Sequence, residues 1–233
     1  MNKRGGFTLI ELLVVIVIVA ILAAILFPVF MSARNRAHQA ACLSNVRQLA
    51  LAFTRYCDDH KGRFTPYAQN ISGGHLSSEW VYWMENIQPY VRNERVFVCP
   101  ARPKGKFSIY WLGYGFNYYY LGSPYVGQPG YTGILASSIK TASKTVFLAD
   151  SRGRKTIKGY DDDSMLVGPY GPYIYSDIAC PYNLVSTDPD KTYQVSDCHN
   201  GGANVAWCDG HAGWMIYRKI AYDITLWDPR LDK

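Results

Sequence analysis

Glu11 is the only charged side chain in the 21-residue apolar stretch 7–27. At about 1.5 Å per residue that stretch makes a helix of roughly 31 Å, the thickness of a hydrocarbon core of about 30 Å. A carboxylate left in lipid without a partner costs about 2–3 kcal/mol, so Glu11 calls for a cation.

Other residues have types suited to chemistry. His199, Asp209 and His211, with Asp150, offer imidazole and carboxylate ligands of the kind that hold zinc or manganese, or an acid–base pair. Against this, Asp209-Gly210 is a turn signal, and a turn at Asp209 with His199 hydrogen-bonding the loop into a strand is the preferred, structural reading. Asp161, Asp162 and Asp163 could take calcium in a loop, but their spacing is not that of an EF-hand, and a solvated acidic loop is the preferred reading. No nucleophile elbow, His-Glu-x-x-His or phosphate loop occurs, so no catalytic residue is expected and no cofactor is required.

Both ends of the apolar stretch are informative. A secretory signal peptide needs a shorter core of roughly 7–15 residues and a small-x-small site after it. Here the small residues, Gly5 and Gly6, precede the core. A plain signal anchor explains the length but not Glu11 or the paired glycines. Lys3 and Arg4 lie before the stretch and Arg34 and Arg36 after it, so basic residues alone leave the orientation open.

Gly6-Phe7-Thr8-Leu9-Ile10-Glu11 resembles the processing site of type IV prepilins and of the pseudopilins of type II secretion. The resemblance implies a prepilin leader over 1–6, cleaved after Gly6 by the prepilin peptidase, and N-methylation of the new terminus at Phe7. It implies that Glu11 pairs with the terminal amine of a neighbouring subunit, and that Pro28 sits where many pilins carry a helix kink. The expected location is the cytoplasmic (inner) membrane, single-pass with the leader inside and the remainder outside. After processing, a periplasmic or surface filament is expected. The partners are then the peptidase, other pilin or pseudopilin subunits, the inner membrane and the assembly machinery. Formal net charge is +6, and loss of Lys3 and Arg4 with the leader leaves +4 with scattered cations, so no nucleic acid is expected as a partner.

The elements that would position these residues can be read in order. Residues 7–30 form a membrane and assembly helix. Residues 31–60 form an amphipathic stem, free of Gly and Pro over 32–59, with an apolar stripe of Leu43, Val46, Ala50, Phe53 and Cys57. His60-Lys61-Gly62 stops it. A globular head over 61–233 follows. Ser77-Ser78-Glu79 predicts a short helix carrying Trp80, Trp83, Ile87 and Val91, limited by Pro89. Strands are expected at Val96-Phe97-Val98, within 109–120, and at 145–149. The run 203–217 reads as a hairpin with a two-residue type I′ turn at Asp209-Gly210. That turn would pair Cys208 with His211, Trp207 with Ala212 and Val205 with Trp214, placing Val205, Trp207, Ala212, Trp214 and Ile216 on the core side. The fold class is α+β, a long N-terminal helix packed on an antiparallel sheet.

The spacing of His199 and Asp209-Gly210 resembles the H-x9-DG signature of a large group of prepilin-like proteins whose C-terminal domain has no assigned chemistry. Asn45-Val46-Arg47-Gln48-Leu49, Cys99-Pro100, Tyr114-Gly115-Phe116-Asn117 and Phe147-Leu148-Ala149-Asp150 resemble the same group. The major pseudopilin of type II secretion carries calcium in its C-terminal loops, which keeps calcium at Asp161–Asp163 open.

Six cysteines would lie where disulfides are permitted. Cys42 and Cys57, about 22 Å apart along one helix, cannot pair within one subunit, nor can Cys198 and Cys208 if the chain between them is extended. The tyrosine-rich segment 151–198 and Tyr118, Tyr119 and Tyr120 could stack on sugars, though tyrosines more often pack strand faces. The expected function is a structural subunit of a type IV pilus or type II secretion filament, with no enzymatic activity. The competing reading is a surface-displayed module that binds sugar, protein or metal and uses the stem for export and anchoring.

Overall fold

The computed structural model describes residues 7–66, 68–70, 80–101, 113–117, 121, 133–150, 177–178 and 198–227. Helix α1 (Leu9–Asp59) continues through Pro28 without interruption. The chain divides into two compact units, Met1–Ala37 and His38–Lys233.

In the first unit the large apolar side chains from Phe7 to Phe30 are 48–80% exposed. Among the described residues none covers them, and α1 is long and apolar enough to cross a membrane.

In the second unit α1 turns amphipathic. Cys42, Val46, Leu49, Ala50, Ala52, Phe53, Tyr56 and Cys57 are buried at spacings of three, four and seven, while Arg47 and Arg55 stay exposed. This is the expected stripe with Cys42, Leu49, Ala52 and Tyr56 added and Leu43 half-buried at its edge. Lys61 and Gly62 take positive φ, and the Gly62 N–H bonds the Cys57 carbonyl at 2.8 Å, which ends the helix where the His60-Lys61-Gly62 signal placed the stop.

Strands β1 (Ala68–Asn70) and β2 (Trp80–Tyr82) form a small antiparallel pair. β2 leads directly into the short helix α2 (Trp83–Ile87) and a 3₁₀ turn over Gln88–Tyr90. The helical segment expected from Trp80 therefore begins only at Trp83, because Trp80 pairs with Asn70 across the small sheet. Val96 and Phe97 belong to a 3₁₀ turn (Glu94–Phe97) rather than a strand. Asn93 caps that turn by accepting the Arg95 N–H at 3.0 Å, a local hydrogen bond that β-propensity does not weigh. Ser77, Ser78 and Glu79 lie outside the described residues.

The main sheet contains β3 (Tyr114–Asn117), β4 (Val146–Asp150), β5 (Asp177–Ile178), β6 (Gly202–Trp207) and β7 (Ala212–Ile216), in the order β5-β3-β4-β6-β7. All neighbours are antiparallel except β3 and the edge strand β5. The architecture is α+β, a long N-terminal helix with a largely antiparallel sheet.

The two faces of the sheet are both covered, so β3, β4 and β6 are buried throughout. On one face Phe53 of α1 stacks with Phe116 at 5.6 Å and Trp83 at 5.5 Å and meets Phe147 edge-on at 4.7 Å. A register shift between Val146 and Leu148 lets Phe147 and Leu148 both join this core. On the other face, helix α3 (Tyr217–Tyr222) and the turn after it bring Ile220, Leu226 and Trp227 against Val146, Ala203, Val205 and Trp207. Trp227 donates its indole N–H to the Ile220 carbonyl at 2.8 Å.

The β6–β7 hairpin departs from the expected one by a single residue. Ala206 pairs with Ala212, Val205 with Gly213 and Asn204 with Trp214. Its loop is the three residues Cys208, Asp209 and Gly210. The Gly210 N–H bonds the Trp207 carbonyl at 2.8 Å, and Gly210 alone has positive φ. This is a type I turn followed by a left-handed glycine, not type I′. One extra loop residue reverses the face of every β7 side chain, so Trp214 and Ile216 are 41% and 52% exposed instead of sealing the core. A turn with two positive-φ residues does exist, at Asn200-Gly201, where His199 and Gly202 exchange both backbone bonds at 3.1 and 3.2 Å.

Candidate functional site

At the start of α1, Thr8 and Glu11 close a ring of hydrogen bonds. The Glu11 N–H donates to Thr8 Oγ1 at 3.3 Å, and Glu11 Oε2 accepts from the Thr8 N–H at 2.8 Å and the Thr8 hydroxyl at 2.7 Å. Thr8 is the N-cap and Glu11 the third helical residue, the geometry of a capping box. The carboxylate therefore satisfies donors that the first turn would leave unpaired, and it sits at the positive end of the helix dipole. Both bonds fall on Oε2, so Oε1 remains available to a further donor. The Thr8-x-x-Glu11 spacing was a readable signal for this cap, and it was missed because Glu11 was weighed only as a charge in lipid. Phe7 is 73% exposed, and Gly6 lies outside the described residues.

The candidates near the C-terminus separate into two groups. His199 precedes β6 and Asp209 follows it, so the six residues of that strand hold them about 20 Å apart. At the far end, Asp209 Oδ1 accepts the His211 N–H at 3.2 Å and meets His211 Nδ1 at 2.5 Å. The His211 ring stacks on buried Trp207 at 4.1 Å, while His211 and Asp209 themselves are exposed. Asp209 thus shapes its own turn, at the opposite end of β6 from His199. Asp161, Asp162 and Asp163 lie outside the described residues.

At the near end, four segments of the chain converge on a closed cluster. Cys42 comes from α1, Cys99 from the loop after the 3₁₀ turn, Asp150 from the end of β4 and His199 from the turn before β6. Their ligand atoms all lie within 4.8 Å of one another, and all four residues are buried. Cys42 Sγ donates to Asp150 Oδ1 at 2.9 Å, and Cys99 Sγ lies 3.3 Å from His199 Nε2. That Nε2 is 3.5 Å from Asp150 Oδ2, which also accepts the Asn204 N–H at 2.6 Å. Tyr114 Oη touches Cys42 Sγ at 3.2 Å. Sequence reasoning paired Asp150 with His199 but did not bring Cys42 or Cys99 to them, because nothing in the spacing shows which stem face meets which strand.

The backbone is fitted to this cluster. A Cβ on Gly113 would stand 2.3 Å from the Cys99 N and 2.4 Å from its Cβ, so only glycine lets β3 pass there. Burial raises the Cys42 thiol, helped by the charge of Asp150 and opposed by a bond with Cys99. At Cys99 a bond with Cys198 acts downward, but the bond with Cys42, burial and the charges of Cys42 and Asp150 together push the thiol well up. Tyr114 is raised by burial and then by the same charges. Without a cation among them, both thiols and the phenol stay neutral.

Comparison with known proteins bears on the first site. Residues 1–27 match the prokaryotic N-terminal methylation motif family. A 74-residue segment, 32% of the chain, is 60% identical to the type IV wide pilus major component PilA4 of Thermus thermophilus and covers 56% of that protein. A 69-residue segment, 30% of the chain, is 38% identical to the type IV major pilin protein PilA of Myxococcus xanthus and covers 31% of it. The aligned segments thus span about half and about a third of the length of these curated relatives. No solved structure matches. The chain is thus similar to type IV prepilins at its N-terminus, and the two relatives are named as a wide pilus major component and a major pilin. The family match ends at residue 27 and does not reach His199, Asp209 or Gly210.

Proposed function

We propose that the chain is a structural subunit of a type IV pilus or of a related secretion filament, built for assembly and not for catalysis. The observation that carries this reading is Glu11, the only charge in the exposed apolar stretch 7–27, which matches the N-terminal methylation motif. The prepilin peptidase cuts between Gly6 and Phe7 and methylates Phe7. The Phe7 amine of one subunit then meets Glu11 of the next. Neutralising the carboxylate this way removes a cost of about 2–3 kcal/mol in lipid and fixes the stagger between neighbouring helices. Before cleavage the amine is displaced to Met1, so the precursor does not assemble.

The first helical turn is already formed by the capping box, which presents Glu11 Oε1 without reorganisation. Pro28, which has no N–H to give the preceding turn, is the point where α1 can loosen as subunits pack. In this reading the apolar half of α1 spans the inner membrane with the leader in the cytoplasm until the subunit is extracted into the filament. The second unit stays outside.

Mass spectrometry of the chain from its native host tests the reading. A terminus at N-methyl-Phe7 is expected, and Gly6→Val should abolish it because the peptidase needs close access to a backbone without a side chain. An intact Met1, or a cut near Ala33, would contradict it.

A further inference from the structure

We infer that Cys42, Cys99, Asp150 and His199 form a structural zinc site. Four ligands of the types zinc takes converge in one buried place: two thiols, one imidazole and one carboxylate. Tetrahedral zinc with bonds of about 2.0–2.3 Å holds its ligand atoms roughly 3.3–3.8 Å apart. Three separations here are 2.9 Å for Cys42 Sγ to Asp150 Oδ1, 3.3 Å for Cys99 Sγ to His199 Nε2 and 3.5 Å for His199 Nε2 to Asp150 Oδ2, and no pair of ligand atoms exceeds 4.8 Å, so closing on the ion needs shifts of at most about 1 Å.

Independent features point the same way. The His199 ring is 1% exposed, and its contacts with Cys99 Sγ and Asp150 Oδ2 are both made by Nε2. Nε2 is therefore the atom aimed into the cluster. Asp150 is held from outside by the Asn204 N–H, and Cys42 is touched by Tyr114 Oη, which gives two of the four ligands outer-shell partners. Gly113 lets the chain approach Cys99 without a clash. Two soft sulfur donors select zinc over magnesium or calcium. Four protein ligands in a buried setting leave no open position, so the role is structural and not catalytic.

Binding releases one proton from each thiol to solvent, giving two thiolates, a carboxylate and a neutral imidazole around Zn²⁺, a net charge of −1. High thiol pKa values then describe the metal-free state, and the cation removes the reason for them. The site joins the amphipathic part of α1 to β4, to the loop carrying Cys99 and to the entry of β6. It also gives His199 of the H-x9-DG motif a role that its partner Asp209-Gly210 does not share.

The test uses the full chain purified in detergent without reductant or chelator. Metal analysis should find about one zinc per chain, with Cys42 and Cys99 protected from alkylation until a chelator is added. Removing zinc should lower the melting temperature by at least about 5 °C. Co²⁺ in its place should show tetrahedral ligand-field bands and a thiolate charge-transfer band. Cys99→Ser and His199→Gln should each lose the metal, while Cys57→Ser, outside the cluster, should keep it. The Co²⁺ spectrum and the alkylation pattern are read on the unmutated chain, so they stand even if a variant fails to fold. Failure to retain or take up zinc would overturn the inference. So would a disulfide joining Cys99 to Cys42 or Cys198, or full zinc occupancy in Cys99→Ser and His199→Gln.

Discussion

Glu11 Oε2 accepts the Thr8 backbone N–H at 2.8 Å, so the residue expected to join two subunits first caps its own helix. The two roles use different oxygens and can be separated. Thr8→Val keeps the shape but removes the hydroxyl, at about 1 kcal/mol of helix stability in the first turn. Filaments should still form, with a frayed start to α1 seen as faster hydrogen exchange at the Glu11 and Leu12 amides. Exchange equal to the parent's would show that the cap contributes nothing.

Glu11→Val should separate insertion from assembly. The stem loses its one unfavourable charge and should enter membranes at least as well as the parent. It should nevertheless be depleted from filaments, because the neighbouring Phe7 amine loses its partner; a buried charge left alone costs about 3–5 kcal/mol. Equal incorporation of mutant and parent, measured on sheared filaments, would rule out this role for Glu11.

The β6–β7 loop offers a stability test of its turn type. Gly210 has φ of +92°, so a β-branched residue there is strained, and Gly210→Val should cost roughly 1–2 kcal/mol. Asp209 has ordinary φ, so Asp209→Ala should lose only its short turn bonds, about 0.5–1 kcal/mol. Thermal melts of the two variants measure the difference. A larger loss for Asp209→Ala than for Gly210→Val would restore a type I′ turn or a ligand role for Asp209.

Phe53 holds the face of the sheet that α1 covers, through contacts with Phe116, Trp83 and Phe147. Phe53→Ala should destabilise the second unit by about 3–5 kcal/mol in denaturant unfolding. A loss below about 1 kcal/mol would mean that the helix is not seated on the sheet.

Burial, with a smaller contribution from Asp58, lifts the Cys57 thiol from 9.0 to about 11. The fold thus disfavours the thiolate: this group has no effect on stability below about pH 9 and reduces it as pH rises from 9 towards 11. At pH 8, alkylation of Cys57 should be far slower in the native chain than in urea. Equal rates would show that Cys57 is exposed.

What the sequence reveals here divides along physical lines. Glu11 is legible because a lone charge in an apolar run has few explanations, and the stem stripe is legible because helical period is local. Strand β4 is equally plain, a short apolar run buried on both faces. The β6–β7 register was not, since Asp209-Gly210 suits both a two-residue and a three-residue loop, and one residue decides which face Trp214 and Ile216 occupy. Asn200-Gly201 is the stronger signal for a turn with two positive-φ residues, and such a turn forms there, before β6. The convergence of Cys42 and Cys99 on Asp150 and His199 depends on how α1 docks on the sheet, which no local pattern encodes.

Mass spectrometry and electron microscopy of the sheared surface fraction from the native host test the central claim most directly. The account predicts filaments containing this chain, beginning at N-methyl-Phe7 and depleted of the Glu11→Val variant. Filaments without the chain, or a surface chain that never assembles, would contradict it.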